Sequence, residues 1–147
     1  MKIALGSDEA GFKFKNSLIK KLKSQNHEIT DFGCFDENPV LYPEIAIEVA
    51  TSIANGANER GILICGTGIG MAIAANKVKG IRAAVCHDPY STERSRKSND
   101  AQIMCMGARI IGEELGEYLV DIWLSCNFEG GGSTPKVNQI SEFEDKG

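Results

Sequence analysis

The sequence is poor in the features that announce several large classes of protein. Apolar residues never run to the roughly 18–20 that a membrane-crossing helix needs. Met1–Asp8 is too short an apolar stretch for a signal peptide. No block of lysine and arginine occurs: 16 basic residues stand against 20 acidic ones, a net charge of −4. A mildly acidic chain without a basic stripe argues against nucleic acid or an anionic membrane as its main partner. Histidine is scarce, with only His27 and His87, which excludes multi-histidine metal centres. The five cysteines (Cys34, Cys65, Cys86, Cys105 and Cys126) are odd in number and form no CxxC pair. Neither a disulfide framework nor a zinc-finger spacing is present. The expectation is a soluble, cytoplasmic protein.

What remains is ordinary globular chemistry, 42% hydrophobic and 24% charged, in a length that suits one domain over residues 1–147. Apolar runs at Lys2–Gly6, Glu28–Phe32, Gly61–Cys65, Ile81–Cys86 and Ile103–Met106 read as strands. Between them lie helical patterns. Phe14, Leu18 and Leu22 recur at i, i+4, i+8; Ile45, Val49 and Ile53 share a stripe behind Pro43; Leu115, Leu119 and Ile122 are expected to face inward. Beyond Gly130-Gly131-Gly132 a helical tail is expected over about 134–147. Strand–helix alternation predicts an α/β fold: a Rossmann-like three-layer sandwich with a five-stranded parallel sheet, order 2-1-3-4-5, helices on both faces. Ligands of such sheets bind beyond the carboxyl ends of the strands, where strand order reverses. That point falls between strands one and three, at the Ser7–Gly11 and Cys65–Gly70 loops.

Glycine is abundant, with 16 residues, and Gly66-Thr67-Gly68-Ile69-Gly70 sits between a buried strand and a helix start. Glycines let main chain approach a ligand closely, and N-terminal helix N–H groups stabilise anions. The spacing is GxGxG, not the GxGxxG dinucleotide fingerprint, and no GK[ST] follows. Cys65 sharpens the reading, because a sulfhydryl beside such donors is biased toward thiolate and can act as nucleophile or base. Asp8 follows strand one in the same crevice. It suits either the cap of the next helix or a carboxylate that accepts bonds from substrate hydroxyls. His87 reads equally as part of a turn before Asp88-Pro89.

Gly6-Ser7-Asp8, Tyr42-Pro43, Cys65-Gly66-Thr67-Gly68-Ile69-Gly70, Ala74-Ala75-Asn76-Lys77, Gly80-Ile81-Arg82-Ala83, Asn99-Asp100, Gly107-Ala108-Arg109 and Phe128-Glu129-Gly130-Gly131 occur in this order along the chain. On these the sequence resembles the ribose-5-phosphate isomerase type B / galactose-6-phosphate isomerase family. The resemblance implies aldose–ketose isomerisation of a phosphorylated sugar through a cis-enediolate, with no metal and no cofactor. It also implies a homodimer or dimer of dimers whose active sites are shared between subunits. Cys65 matches the base, and Gly66, Thr67, Gly68, Ile69 and Gly70 match the loop that stabilises the enediolate oxygen. Asp8, with Glu9 beside it, matches a sugar-hydroxyl ligand, Asn99 a residue contributed across the dimer, and Arg109 and Lys136 phosphate-side positions.

Three departures bear on the substrate. Asp8-Glu9 replaces the family's usual Asp-His, as in one subunit type of the galactose-6-phosphate enzymes. Ser98 replaces the histidine that opens the sugar ring. Gly131-Gly132-Ser133 and Lys136 stand where arginines usually grip the phosphate, and lysine is a point charge where arginine is a bidentate fork. A substrate that does not cyclise, such as a tetrose 4-phosphate, needs no ring opener and suits these losses; ribose 5-phosphate/ribulose 5-phosphate and hexose 6-phosphates are the other candidates. The alternatives are an impaired paralogue that senses a sugar phosphate or needs a second homologous subunit, and a cysteine hydrolase using Cys65 with His87 as base.

Overall fold

A computed structural model describes all 147 residues. Five strands, β1 (Lys2–Ser7), β2 (Glu28–Asp31), β3 (Arg60–Cys65), β4 (Ala83–Val85) and β5 (Ile103–Gly107), form one parallel sheet. Around it lie α1 (Phe12–Ser24), α2 (Tyr42–Ala54), α3 (Ile69–Ala75), α4 (Pro89–Lys97), α5 (Glu113–Ser125) and α6 (Thr134–Lys146). No helix is long and apolar enough to cross a membrane.

The α/β architecture agrees with the periodicity, but the strand order is 2-1-3-5-4, not 2-1-3-4-5. Every residue of β5 is buried, and it pairs with both β3 and β4. β4 is three residues long and only half-buried, so it takes the edge, where one flank needs no partner. The apolar run at Ile81–Cys86 looked longer because Ile81 and Cys86 are buried outside the ladder. The reversal between β1 and β3 survives the change.

The pleat sends alternate residues to opposite faces, and this sorts the core into two layers. Ile3, Leu5, Ile62, Ile64, Met104 and Met106 meet Phe14, Leu18 and Leu22 of α1 and Leu119, Val120 and Trp123 of α5. Ala4, Leu63, Cys65, Ile103 and Cys105 meet Ala46, Val49 and Ala50 of α2 and Met71, Ala72 and Ala75 of α3. Each fully buried Leu or Ile side chain contributes about 1.5–3 kcal/mol, so these layers dominate stability. Leu115 is 39% exposed, against expectation. Gly116 takes the contact instead: a Cβ there would overlap the Phe14 ring, so α5 approaches α1 through its glycine rather than through a leucine. α6 lies over the β4 side, where Glu144 Oε1 accepts from Gly80 N–H at 2.7 Å and Lys79 pairs with Asp145 at 3.1 Å.

Candidate active site

β1, β3 and β5 finish at one level, since Ser7 pairs with Ile64 and Cys65 with Gly107. Their three following loops therefore emerge together at the switch point. Ala108 N–H donates to Cys65 O at 2.8 Å and Arg109 N–H to Gly66 O at 3.1 Å, locking the β5 loop against the β3 loop. This approach requires Gly107, where a Cβ would stand 2.7 Å from Thr67 Cα.

Cys65 is 5% exposed, and its Sγ accepts a bond from Gly68 N–H at 3.1 Å. Gly68 makes that bond with φ +79, and its Cα lies so close to β5 that a Cβ would stand 2.9 Å from Met106 C. Both constraints demand glycine. Thr67 Oγ1 accepts from Ile69 N–H at 3.2 Å and tightens the entry to α3. The first-turn N–H groups of Gly70 and Met71 have no intrahelical acceptor. Ile69 and Thr67 are exposed at the rim.

Asp8 combines both of its expected characters. Its Oδ1 accepts from Ala10 N–H at 2.9 Å and Gly11 N–H at 3.1 Å, which shapes the turn into α1. Burial pushes its carboxyl above the ordinary value of 3.8, with Glu9 adding to the rise, while the Gly11 and Ala10 bonds and the Arg109 charge oppose it. A carboxylate short of solvation is a ready acceptor for hydroxyl groups. Arg109 is exposed and lies over the Gly66 main chain, its Nη1 3.4 Å from where a Cβ would sit. Asp8, Cys65–Gly70 and Arg109 thus occupy one end of one chain.

Glu9 turns away from this group: its Oε2 accepts from Val40 N–H at 3.2 Å and ties down the segment leading into α2. Asn99 and Lys136 stand elsewhere. Asn99 precedes β5, whose first residue Ile103 pairs with Gly61, so it lies at the opposite edge of the sheet from Cys65. Four residues of strand, about 13 Å, separate those levels. Lys136 is exposed in the first turn of α6. Within one chain neither residue reaches the Cys65 loop. Two cavities flank these regions: one of about 580 Å³ beside Gly33–Asp36 and the start of α2, and one of about 410 Å³ lined by Arg82, Asn99 and Ile140. Neither contains Cys65.

Two residues at the crevice have roles the sequence reading did not give them. Tyr42 places its ring and hydroxyl where a Cβ on Gly70 would fall. Its Tyr-Pro pair signalled only a helix start. His87 Nε2 accepts from Gly107 N–H at 2.8 Å, and burial holds its pKa below 6.5. Its acceptor nitrogen is spent on main chain, so it forms no dyad with Cys65, and the hydrolase pairing lacks its base. No cluster of three or more His, Cys, Asp or Glu side chains stands together that could hold a metal ion.

A nearly covered thiol that accepts a main-chain N–H at the switch point of an open parallel sheet is the candidate site of an α/β enzyme acting on a small molecule. Comparison with known proteins defines that enzyme further. Residues 3–140 match the family model described as Ribose/Galactose Isomerase. The chain is 57% identical to "Ribose-5-P isomerase B" of Listeria innocua, covering 99% of each chain. It is 50% identical to "D-erythrulose-4-phosphate isomerase" of Pectobacterium atrosepticum over 98% of this chain and 95% of the other. The solved ribose-5-phosphate isomerase B of Clostridium thermocellum superposes with a TM-score of 0.97 at 44% identity, covering 99% of each chain. The chain belongs to the ribose/galactose isomerase family and is an isomerase.

Proposed function

We propose that the chain interconverts the aldose and ketose forms of a phosphorylated sugar, with Cys65 as the base and a tetrose 4-phosphate as the preferred substrate. The observation that carries the mechanism is the Gly68 N–H bond to Cys65 Sγ at 3.1 Å. It holds the sulfur at the mouth of the glycine loop, against a main-chain donor. In the aldose-to-ketose direction the thiolate removes the proton on C2. The electron pair moves into the C1–C2 bond and the carbonyl π electrons move onto O1, giving the cis-enediolate. The thiol then returns the proton to C1, while a hydroxyl proton passes from O2 to O1. Amides of the Gly66–Gly70 loop stabilise the charge as it develops on oxygen, where preorganised donors are most effective. Asp8 accepts from sugar hydroxyls.

The positions of Asn99 and Lys136 support a site shared between two copies of the chain. Each lies far from its own Cys65 loop, so each can serve only the site of a second copy. The substrate reading rests on Ser98, which stands where the family carries its ring-opening histidine. Its Oγ accepts from Arg94 Nη1 at 3.2 Å, and a serine hydroxyl is a poor general acid near neutral pH. A tetrose 4-phosphate has its C4 oxygen blocked and cannot close a furanose, so nothing has to be opened.

The experiment compares D-erythrulose 4-phosphate, D-ribulose 5-phosphate and a ketohexose 6-phosphate on one preparation whose oligomeric state is measured by sedimentation. The expected result is the highest kcat/KM on the four-carbon sugar, delivered by a dimer or dimer of dimers. A higher kcat/KM on the five-carbon sugar contradicts the substrate reading, and an active monomer contradicts the shared site.

A further inference from the structure

Asn99 is exposed at the end of α4, in a stretch with no regular structure of its own. Asp100, next to it, adopts φ +49, a left-handed conformation that few residues other than glycine, asparagine and aspartate adopt. Two arginines hold this corner. Arg82 Nε donates to Asn99 O at 3.0 Å and to Asp100 O at 3.2 Å, and its Nη2 donates to Asp100 O at 3.0 Å and Asp100 Oδ2 at 3.4 Å. From the other side Arg96 Nη1 donates to Asp100 Oδ1 at 3.1 Å and to Ala101 O at 2.8 Å. Arg96 is itself 7% exposed. The main chain of Asn99 and Asp100 is thus pinned on both sides, while the Asn99 side chain makes no bond within its own chain. A cost is visible nearby. Arg60 is buried, and its pKa is pushed down to about 10, first by burial and then by the Arg96 charge, with Asp100 opposing.

We propose that Arg82, with Arg96 and Asp100, is a positioning device that presents Asn99 to the substrate in the neighbouring copy. This rests on the reading of Asn99 as a ligand in a shared site. Arg82 suits the task where lysine would not. Its planar fork spans two consecutive carbonyls and a carboxylate at once, whereas an ammonium is a point charge. A second carboxylate-free contact would leave Asp100 free to relax from its left-handed conformation and swing Asn99 with it. Arg82 acts only through Asn99 and does not touch the reacting atoms.

The test is a double-mutant cycle on the full-length protein with Asn99→Ala, Arg82→Met and the pair combined. Arg82→Met keeps the aliphatic stem and leaves Asp100 paired with Arg96. Each single change is expected to lower kcat/KM by about 10- to 100-fold, the scale of a misplacement of about 1 Å. The double variant is expected to match Asn99→Ala alone, because the clamp has nothing left to position. A structural role would instead add its own loss in the double variant and lower the melting temperature in proportion. If Arg82→Met does not fold, Arg82→Lys keeps the charge but cannot bridge both carbonyls, and the same pattern is expected of it. Additive losses, or full activity with Arg82→Met or Arg82→Lys, overturn the clamp. Full activity with Asn99→Ala removes the ligand role of Asn99 itself, and the clamp falls with it.

Discussion

At Cys65 side chain and backbone depend on each other. The sulfur accepts the Gly68 N–H, and Gly68 can offer it only because a left-handed residue without a Cβ fits against Met106. His87 shows a similar economy. Its Nε2 accepts from the Gly107 N–H that ends β5, so the neutral ring is part of the frame under the site. Burial lowers its pKa from 6.5, and the sign of the consequence follows from linkage. The unfolded chain takes up a proton as pH falls through about 6.5, while the folded chain refuses it until the lower folded pKa. Unfolding free energy contributed by this group is therefore level above neutrality and declines as pH drops below 6.5. His87→Gln, which keeps an acceptor but does not titrate, is expected to flatten that decline in denaturant titrations. An unchanged slope would show that another group is responsible.

Elements were legible where their periodicity was strong and local. β3 and β5 read as buried runs, and the stripes of α1 and α2 identified their inner faces. Strand order was not legible, because it depends on which strand can afford an open flank. A three-residue β4 looks, in sequence, like any other apolar run. The inner face of α5 was misjudged at Leu115 because close packing of α1 on α5 is made by Gly116, which hydropathy does not register as a contact. That contact sets a prediction at the same scale. In an exposed helix Gly→Ala gains about 1 kcal/mol. Here the added Cβ meets the ring of Phe14, which is 5% exposed and has no room to move. Overpacking costs about 1–3 kcal/mol, so Gly116→Ala is expected to lower the unfolding midpoint in urea. A raised midpoint would mean that α1 and α5 can separate without loss.

Across the whole molecule, topology gathers one group of the candidate residues and leaves another apart. Asp8, Cys65 to Gly70 and Arg109 end three adjacent strands, so topology alone gathers them. Asn99 and Lys136 lie across the sheet, and no reading of one chain brings them to Cys65. Glu9 has a use that residue type does not reveal, since its Oε2 accepts from Val40 N–H and ties down the segment before α2. Relatives named for a five-carbon and for a four-carbon sugar phosphate stand on both sides of the substrate question, and the proposed transfer of a proton between neighbouring carbons applies to either. The most direct measurement follows deuterium from heavy water into C1 of D-erythrulose 4-phosphate and C2 of its aldose product, comparing the parent chain with Cys65→Ala. With Cys65 as the base, the parent incorporates label, and the variant loses incorporation and turnover together by roughly 10²- to 10⁴-fold. Incorporation by Cys65→Ala at the parental rate would contradict it.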